Sequence, residues 1–348
     1  MHPAIPPRAA HNFTSFQVRI DDRTLACPGM ADTFRFTNLD GSGPARIGRV
    51  LRWMVLDRLA GRRRRSPARA AVPEVTPDLE VLRRPPPEGI RVTWLGHASF
   101  LVQGAGTSVL IDPALGPRIS GVIPRNAGPG LGVDQLPRID ACLVTHNHYD
   151  HLDLPTLRAV GAPVVAGLGT RPSVKDLPCT ELAWWDRMHV GGLTVTFVPS
   201  QHWSRRGLGD TNEALWGGFV VESEDARVYH AGDTAYFGGF QDIGPAFPGL
   251  DAALLPIGAY DPEWFMRSQH MTPGDAAQAF LDLGARRLVA MHWGTFKLTD
   301  EPLDEPPRLL RDEWERRKLP AEALSIPPIG GSLELRSAAA ARTRQPAS

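Results

Sequence analysis

One short segment holds the highest density of side chains that can bind a metal. It is the sequence Thr-His-Asn-His-Tyr-Asp-His at positions 145–151, directly after the apolar segment 141–144, which predicts a buried strand. A chain that turns at the end of a strand can aim several side chains at one point. Imidazole nitrogens and carboxylate oxygens both bind zinc. The segment therefore predicts a metal site rather than a histidine-rich loop without a metal, with four candidate ligands: His146, His148, Asp150 and His151.

Three further candidate ligands each follow a predicted strand. They are His202 after the segment 193–198, Asp233 after 226–230 and His292 after 288–291. Gly232 allows the sharp backbone turn that would place the aspartate at a strand end. A single histidine is usually a satisfied surface or core residue. Three such positions behind predicted strands make chance a poor explanation, so we expect all seven candidates to converge on one site.

The elements that must position these residues begin at about residue 90. From there, short apolar segments typical of strands are separated by turns that contain glycine. The clearest helix covers about 272–283, where Thr272 can cap it, Pro273 suits its first turn and Gly284 can end it. The strands fall into two groups, with helices between and after them. This order predicts two packed sheets with helices outside.

The first 89 residues differ from the rest by their content of proline and arginine. Their one helical pattern covers about 47–59 and precedes the arginine run 62–65, and three prolines at 85–87 predict a stiff linker. The helix either packs on the main domain or lies on a membrane surface with its arginines against anionic lipid. We therefore expect an N-terminal extension over 1–89, a main domain over 90–337 and a disordered tail over 338–348.

Composition excludes several classes of protein. The 38 basic side chains balance 38 acidic ones, which argues against a nucleic-acid binder with a strongly basic surface. Three cysteines suit neither a disulfide framework nor a zinc knuckle, so we expect thiols in a reducing compartment. No apolar run approaches the roughly 20 residues that span a bilayer, and the N-terminus lacks the core of a secretory signal. A cytoplasmic protein is expected, with peripheral contact at the inner membrane surface left open.

The order His-x-His-x-Asp-His, then His, then Gly-Asp, then His resembles that of the metallo-β-lactamase superfamily. The resemblance covers about 91–299 and includes the segments 94–99 and 110–113. Within the superfamily, the chain most resembles the N-acyl-phosphatidylethanolamine-hydrolysing phospholipase D group. The segments that carry this resemblance are 201–203, 256–260, 264–266, 269–270 and 291–296. It implies an α+β fold, an αββα four-layer sandwich of two packed mixed β-sheets flanked by helices.

The resemblance also implies the roles of the candidate ligands. Two divalent metal ions are expected, with Zn²⁺ as the expected metal. One ion would be held by His146, His148 and His202, the other by Asp150, His151 and His292, and both by Asp233. A hydroxide that bridges the ions would attack the substrate, oriented by Asp150.

Several residues near the predicted ligands have two interpretations. By the resemblance, His270 donates a hydrogen bond or a proton near a phosphoryl group with the help of Gln269, but it could simply flank the helix that begins at Thr272. Asp112 either orients a ligand imidazole or only ends a strand before a proline. His97 and His230 likewise have two interpretations, as residues that support a ligand or as residues with only a structural role.

The expected substrate is a phospholipid or another anionic phosphodiester, contacted by Trp203, Tyr260, Trp264 and Gln269. An acyl-chain groove could be lined by six large apolar residues that could equally belong to the core: Trp184, Trp185, Trp203, Trp264, Phe265 and Met266.

The resemblance therefore implies a phosphodiesterase of phospholipase D type that acts on N-acyl-phosphatidylethanolamine-like lipids. The alternatives are a lactonase of small phosphorylated sugars, another hydrolase of the same fold, or a metal-binding scaffold without turnover. No nucleic-acid partner is expected, and a homodimer is left open.

Overall fold

Two seven-stranded sheets form the centre of the computed structural model, which describes residues 35–44, 47–64 and 66–336. The strands in chain order are β1 (Ile90–Gly96), β2 (Ser99–Gly104), β3 (Thr107–Ile111), β4 (Arg118–Ile119), β5 (Ile123–Pro124), β6 (Ala141–Val144), β7 (Val164–Gly167), β8 (Cys179–Leu182), β9 (Arg187–Val190), β10 (Leu193–Val198), β11 (Gly218–Glu222), β12 (Arg227–His230), β13 (Ala252–Pro256), β14 (Leu288–Met291), β15 (Leu324–Ser325) and β16 (Ser332–Leu335). The first sheet has the order β16-β1-β2-β3-β6-β7-β8 and the second β15-β14-β13-β12-β11-β10-β9, while β4 and β5 form a separate hairpin.

Each large sheet is antiparallel in one half and parallel in the other. In the first sheet, strands β3, β6, β7 and β8 run parallel. In the second, β12, β13, β14 and β15 do. Because the carboxyl ends of parallel strands lie at the same edge of a sheet, the loops that follow them can share one site.

Side chains alternate between the space between the sheets and their outer faces, as the pleat requires. On β2 and β3, Phe100 and Ile111 belong to the core between the sheets. Their neighbours Leu101 and Leu110 belong to a second apolar cluster, which also contains Leu157 of the helix outside the first sheet. The strands are therefore buried on both faces.

Helices cover the outer faces and complete the four layers. They are α1 (Ile47–Leu51), α2 (Leu79–Leu82), α3 (Leu154–Val160), α4 (Phe240–Ala246), α5 (Glu263–Met266), α6 (Pro273–Leu283) and α7 (Glu305–Arg316). The predicted helix near 272–283 is α6: Thr272 Oγ1 accepts from the Asp275 amide at 3.1 Å, and Gly284 follows with φ of +60°. Helices α4 and α7 pack against α6, which contacts β13. The predicted αββα sandwich of two mixed sheets is confirmed.

The apolar pattern near 47–59 forms α1 and a π-helical turn, Arg52–Asp57. Val50 and Trp53 pack against the main domain at Phe265 and its neighbours. Other apolar side chains of this helical segment are exposed, among them Leu56 at 61% and Leu59 at 81%. No described helix is both long enough and apolar enough to cross a bilayer. The boundary at residue 89 stays a prediction, and the tail 338–348 lies outside the described residues.

Candidate metal centre

The candidate ligands project from loops that follow strands at one edge of the sandwich. The loop 145–151 follows β6, and three single residues follow β10, β12 and β14: His202, Asp233 and His292. The structure brings all seven side chains together in overlapping groups whose ligand atoms lie within 4.8 Å of one another. Five of the seven residues are almost fully buried, and the other two, His148 and Asp150, line a cavity.

One group consists of three imidazoles. His146 Nε2 lies 2.8 Å from His148 Nδ1, and His202 Nε2 lies 3.2 Å from the same atom. The three nitrogens surround one point and could hold one cation.

A second group combines a carboxylate with two imidazoles. Asp150 Oδ2 lies 3.6 Å from His151 Nε2 and 3.8 Å from His292 Nε2. These three atoms could hold a second cation beside the first.

Asp233 lies between the two groups. Its Oδ2 atom is 3.2 Å from His151 Nε2 and 4.0 Å from His146 Nε2, and its Oδ1 atom is 3.0 Å from His292 Nε2. One carboxylate therefore faces ligand atoms of both groups, which is the geometry that a bridging ligand requires.

Hydrogen bonds to the outer ring nitrogens orient three of the imidazoles. The Thr145 hydroxyl donates to Asp112 Oδ2, so its oxygen is left to accept from His146 Nδ1 at 3.0 Å. His151 Nδ1 donates to Asp112 Oδ2 at 2.7 Å, and His202 Nδ1 donates to a backbone carbonyl at 2.9 Å. With the proton held on Nδ1, each imidazole can offer its Nε2 lone pair to a metal, the arrangement typical of metal-ligating histidines.

Several inward atoms have no other partner. Among the described residues, His151 Nε2, His292 Nε2 and Asp233 Oδ1 are buried and make no well-directed hydrogen bond, although the Asp233 carboxylate lies 3.0–3.2 Å from both imidazoles. Buried polar atoms without well-directed hydrogen bonds are unfavourable, and a cation among them would satisfy them. The donor set of imidazole and carboxylate therefore fits divalent metal ions.

The protonation of the ligands differs between the two groups. Burial lowers the pKa of His148 to about 4 and that of His202 to about 3, which keeps these imidazoles neutral. Burial acts in the same direction on His292, but Asp233 and Asp150 outweigh it and raise its pKa to about 9. A metal ion at the second group must therefore displace a proton, so its binding competes with protons.

Asp112 fulfils both interpretations given to it from the sequence. It ends β3 with φ of +46°, a turn conformation. Its Oδ1 atom also accepts from the Thr145 amide at 2.8 Å, while Oδ2 accepts from His151. The carboxylate thus fixes the start of the ligand loop and the orientation of one imidazole.

The two ambiguous histidines have different surroundings. His97 Nε2 donates to Asp150 Oδ2 at 2.9 Å, which places His97 beside the second group. His230 Nε2 donates to the Ala98 carbonyl and its Nδ1 accepts from the Gly232 amide, so it supports the turn that leads to Asp233. Only His97 contacts a candidate ligand.

The N-terminal segment contributes a contact that sequence reasoning missed. Asn38, which is 1% exposed, accepts from the His202 amide at 3.1 Å and donates to the His202 carbonyl at 2.9 Å. This pair of hydrogen bonds holds the backbone of a candidate ligand. No local pattern marks Asn38 because its partner lies 164 positions away.

Replacing Asn38 with alanine is expected to weaken metal binding about tenfold, the lower end of what outer partners of metal ligands contribute. The measurement is competition with a chelating dye on the folded variant. Ser42→Ala is the matched control, because Ser42 contacts Asn38 but not His202, and it should retain the wild-type affinity. An unchanged affinity in Asn38→Ala would show that Asn38 does not position the ligand.

A cavity of about 350 Å³ opens beside both groups of ligands. Its polar lining includes His270, whose Nδ1 lies 3.9 Å from Asp233 Oδ2 and has no hydrogen-bond partner among the described residues. Burial lowers the pKa of His270 to about 3, so its imidazole is neutral. The apolar residues that line the cavity are Trp53, Ile119, Ile123, Trp203, Ala259, Phe265, Met266 and Leu298.

The structure brings only some of the predicted substrate contacts to this cavity. Trp203 and Gln269 line it, as do Phe265 and Met266. Tyr260 does not, because its hydroxyl donates to Glu305 at 2.8 Å.

The other tryptophans proposed for the groove also lie elsewhere. Trp264 is 43% exposed with Arg52 over its ring. Trp184 donates to the Trp216 carbonyl and Trp185 stacks on Phe247, so both pack at the second sheet. Sequence alone did not separate these positions from the cavity wall.

Comparison with known proteins agrees with this fold. Residues 107–293 match the beta-lactamase superfamily domain. The chain is 34% identical over 253 residues, 66% of this chain and 71% of the relative, to an N-acyl-phosphatidylethanolamine-hydrolyzing phospholipase D of Caenorhabditis elegans. It is 38% identical over 218 residues, 60% of this chain and 83% of the relative, to a metal-dependent hydrolase of Rubrobacter xylanophilus.

A solved structure shares the fold. It is a metallo hydrolase from the archaeon Ignicoccus hospitalis, with a TM-score of 0.54 at 22% identity over 70% of this chain and 97% of that one. The chain therefore belongs to the metallo-β-lactamase superfamily, as a metal-dependent hydrolase similar to the N-acyl-phosphatidylethanolamine-hydrolysing phospholipase D group.

Proposed function

We propose that the protein is a phosphodiesterase of phospholipase D type with two metal ions, expected to be Zn²⁺, that hydrolyses N-acyl-phosphatidylethanolamine-like lipids. Water would replace the ethanolamine oxygen on phosphorus, releasing an N-acylethanolamine and a phosphatidate, with the proton passing to the departing oxygen. The observation that carries the proposal is a two-group ligand set beside a cavity whose lining includes many apolar side chains.

The charges of the site suit an anionic substrate. Two divalent ions carry four positive charges, whereas the ligand set contains only two carboxylates, Asp150 and Asp233. The surplus of positive charge would attract a phosphodiester. When bound, such ions also supply a nucleophilic water at neutral pH and stabilise the charge that develops on the phosphoryl oxygens.

The surrounding residues have separate tasks in this proposal. Asp150 is held by His97 through a 2.9 Å hydrogen bond, so its carboxylate has a fixed direction toward the cavity. His270 is neutral and its ring lies beside Asp233, where one N–H can donate to a phosphoryl or leaving-group oxygen. The backbone carbonyl of Gln269 accepts a hydrogen bond from His202 and so orients its ring. Gln269 also lines the cavity, as does its neighbour in the sequence, His270.

The apolar lining of the cavity favours a lipid over a sugar phosphate. A phosphorylated sugar carries hydroxyl groups that need hydrogen-bond partners when they are buried. Trp203, Phe265 and Met266 instead offer aromatic and aliphatic surface close to the ligands. Such a wall suits an acyl chain.

Turnover of a substrate panel by the metal-loaded protein tests this proposal. The panel contains N-hexadecanoyl-phosphatidylethanolamine in mixed micelles, bis(p-nitrophenyl) phosphate, and a lactone of a phosphorylated sugar. We expect hydrolysis of both phosphodiesters, with phosphatidate identified by mass spectrometry, and loss of turnover after chelation. Turnover of the lactone alone would favour the lactonase, and no turnover with two bound ions would favour the scaffold.

A further inference from the structure

The N-terminal helical segment supplies one wall of the cavity. Trp53 lies in the π-helical turn after α1 and lines the cavity beside Phe265. The two rings stack with their centroids 5.5 Å apart and their planes 28° apart. The segment lies outside residues 107–293, the part that matches the superfamily domain. Trp53 therefore contributes to the cavity from outside the matched domain.

Trp53 is held in place by a set of polar contacts. Its Nε1 donates to Asp300 Oδ2 at 2.9 Å. Arg63 donates to the same carboxylate through Nε, 2.9 Å from Oδ1, and its guanidinium lies 4.3 Å from the centre of the indole ring. Asp300 is 4% exposed, so the ion pair with Arg63 is shielded from solvent on the carboxylate side. The indole is thus fixed both at its edge and over its face.

A second arginine and a serine attach the same segment to the same region. Arg64 forms an ion pair with Glu305, 2.6 Å from Nη1 to Oε1, and Ser66 Oγ donates to the Asp300 carbonyl at 2.7 Å. These contacts join the chain directly after the helical segment to Asp300, in the loop before α7, and to Glu305, the first residue of α7.

The helical segment that contains Trp53 packs differently from an ordinary surface helix. Most of the helical segment is exposed, as Leu56 shows at 61%, yet its one tryptophan turns toward the cavity. The π-helical turn changes the direction of side chains within the helix, and such turns are frequent at functional sites. An indole at this position offers a large, rigid apolar surface.

We propose that Trp53 is a specificity-determining residue that contacts the apolar chain of the substrate, and that Asp300 and Arg63 are positioning residues that act through it. The identity of that chain as an acyl group rests on the proposed function. The position of Trp53 and Phe265 in the cavity lining does not rest on the proposed function, because the geometry of the cavity shows it.

Binding of cis-parinaric acid, a fluorescent fatty acid, to the metal-loaded full chain tests the wall. Trp53→Ala should weaken binding about tenfold, equivalent to about 1.4 kcal/mol. Leu56→Ala, on the exposed face of the same helical segment, should bind as the wild type does. Arg63→Met should weaken binding about threefold, whereas Arg63→Lys, which can still pair with Asp300, should restore it to within twofold.

A second measurement compares N-hexadecanoyl- and N-butanoyl-phosphatidylethanolamine. Trp53→Ala should lower the ratio of kcat/KM for the long substrate to that for the short one about tenfold, and Leu56→Ala should leave that ratio unchanged. The proposed role of Trp53 would be overturned if Trp53→Ala bound the fatty acid with wild-type affinity, or if the wild type did not bind it. If the wild type hydrolysed neither lipid, but fatty-acid binding still depended on Trp53, only the proposed function would be overturned.

Discussion

Asp233→Asn is expected to lower kcat/KM by about a thousandfold or more, equivalent to about 4 kcal/mol of lost transition-state stabilisation. The carboxylate faces ligand atoms of both groups, with His151 Nε2 at 3.2 Å and His292 Nε2 at 3.0 Å. An asparagine keeps the shape of the side chain but removes its charge, so it cannot bridge two cations in the same way. The loss should appear in metal analysis as well as in turnover, with fewer than two ions retained per chain.

Asp251→Asn is the matched control for this variant. Asp251 is also a buried aspartate, 5% exposed, but it pairs with Arg286 and accepts from the Arg227 amide away from the site. Its replacement can lower stability, yet metal content should stay at the wild-type value. Full metal content and turnover in Asp233→Asn would show that the carboxylate is not a shared ligand.

His270→Ala is expected to lower kcat about a hundredfold, at the lower end of what positioned proton donors and acceptors contribute. The imidazole lines the cavity, its Nδ1 has no hydrogen-bond partner among the described residues, and burial keeps the ring neutral by lowering its pKa. His270 lies within ligand distance of His202 and Asp233, but it belongs to neither of the two groups proposed to hold the ions, so metal content should be unchanged. Steady-state kinetics and metal analysis on the same sample separate these effects.

The other interpretation of His270, as a flank of α6, predicts a different outcome. In that case the variant would leave kcat unchanged and change the thermal midpoint little, because Thr272 and Asp275 already cap the helix. His189→Ala, an exposed histidine on β9, controls for the loss of an imidazole. Full turnover in His270→Ala would remove its catalytic role.

The fold and the meeting of the ligand loops follow from local features of the sequence. The period of apolar residues marked the strands, and Thr272, Pro273 and Gly284 marked both ends of α6. Candidate ligands stood at strand ends, where parallel strands place consecutive loops at one edge. These signals are local, so they need no knowledge of which distant segments meet.

The residues that the sequence did not reveal depend on contacts between distant segments. Asn38 holds the backbone of His202, and Trp53 meets Asp300, 247 positions away. The sequence around each of these two residues does not differ from the sequence around an ordinary polar or apolar residue. Tyr260, predicted to contact substrate, is not among the residues that line the cavity, and its hydroxyl pairs with the distant Glu305. Residue type predicted the chemistry of these side chains, and tertiary packing decided their direction.

Anomalous diffraction at the zinc edge, from crystals of the zinc-loaded protein, would locate the bound ions. Two peaks are expected about 3.5–4 Å apart, the usual spacing of paired catalytic metals. One should lie within coordination distance of His146, His148 and His202, the other near the second group, with Asp233 between them. A single peak, or peaks away from these side chains, would contradict the two-ion site on which the proposed chemistry rests.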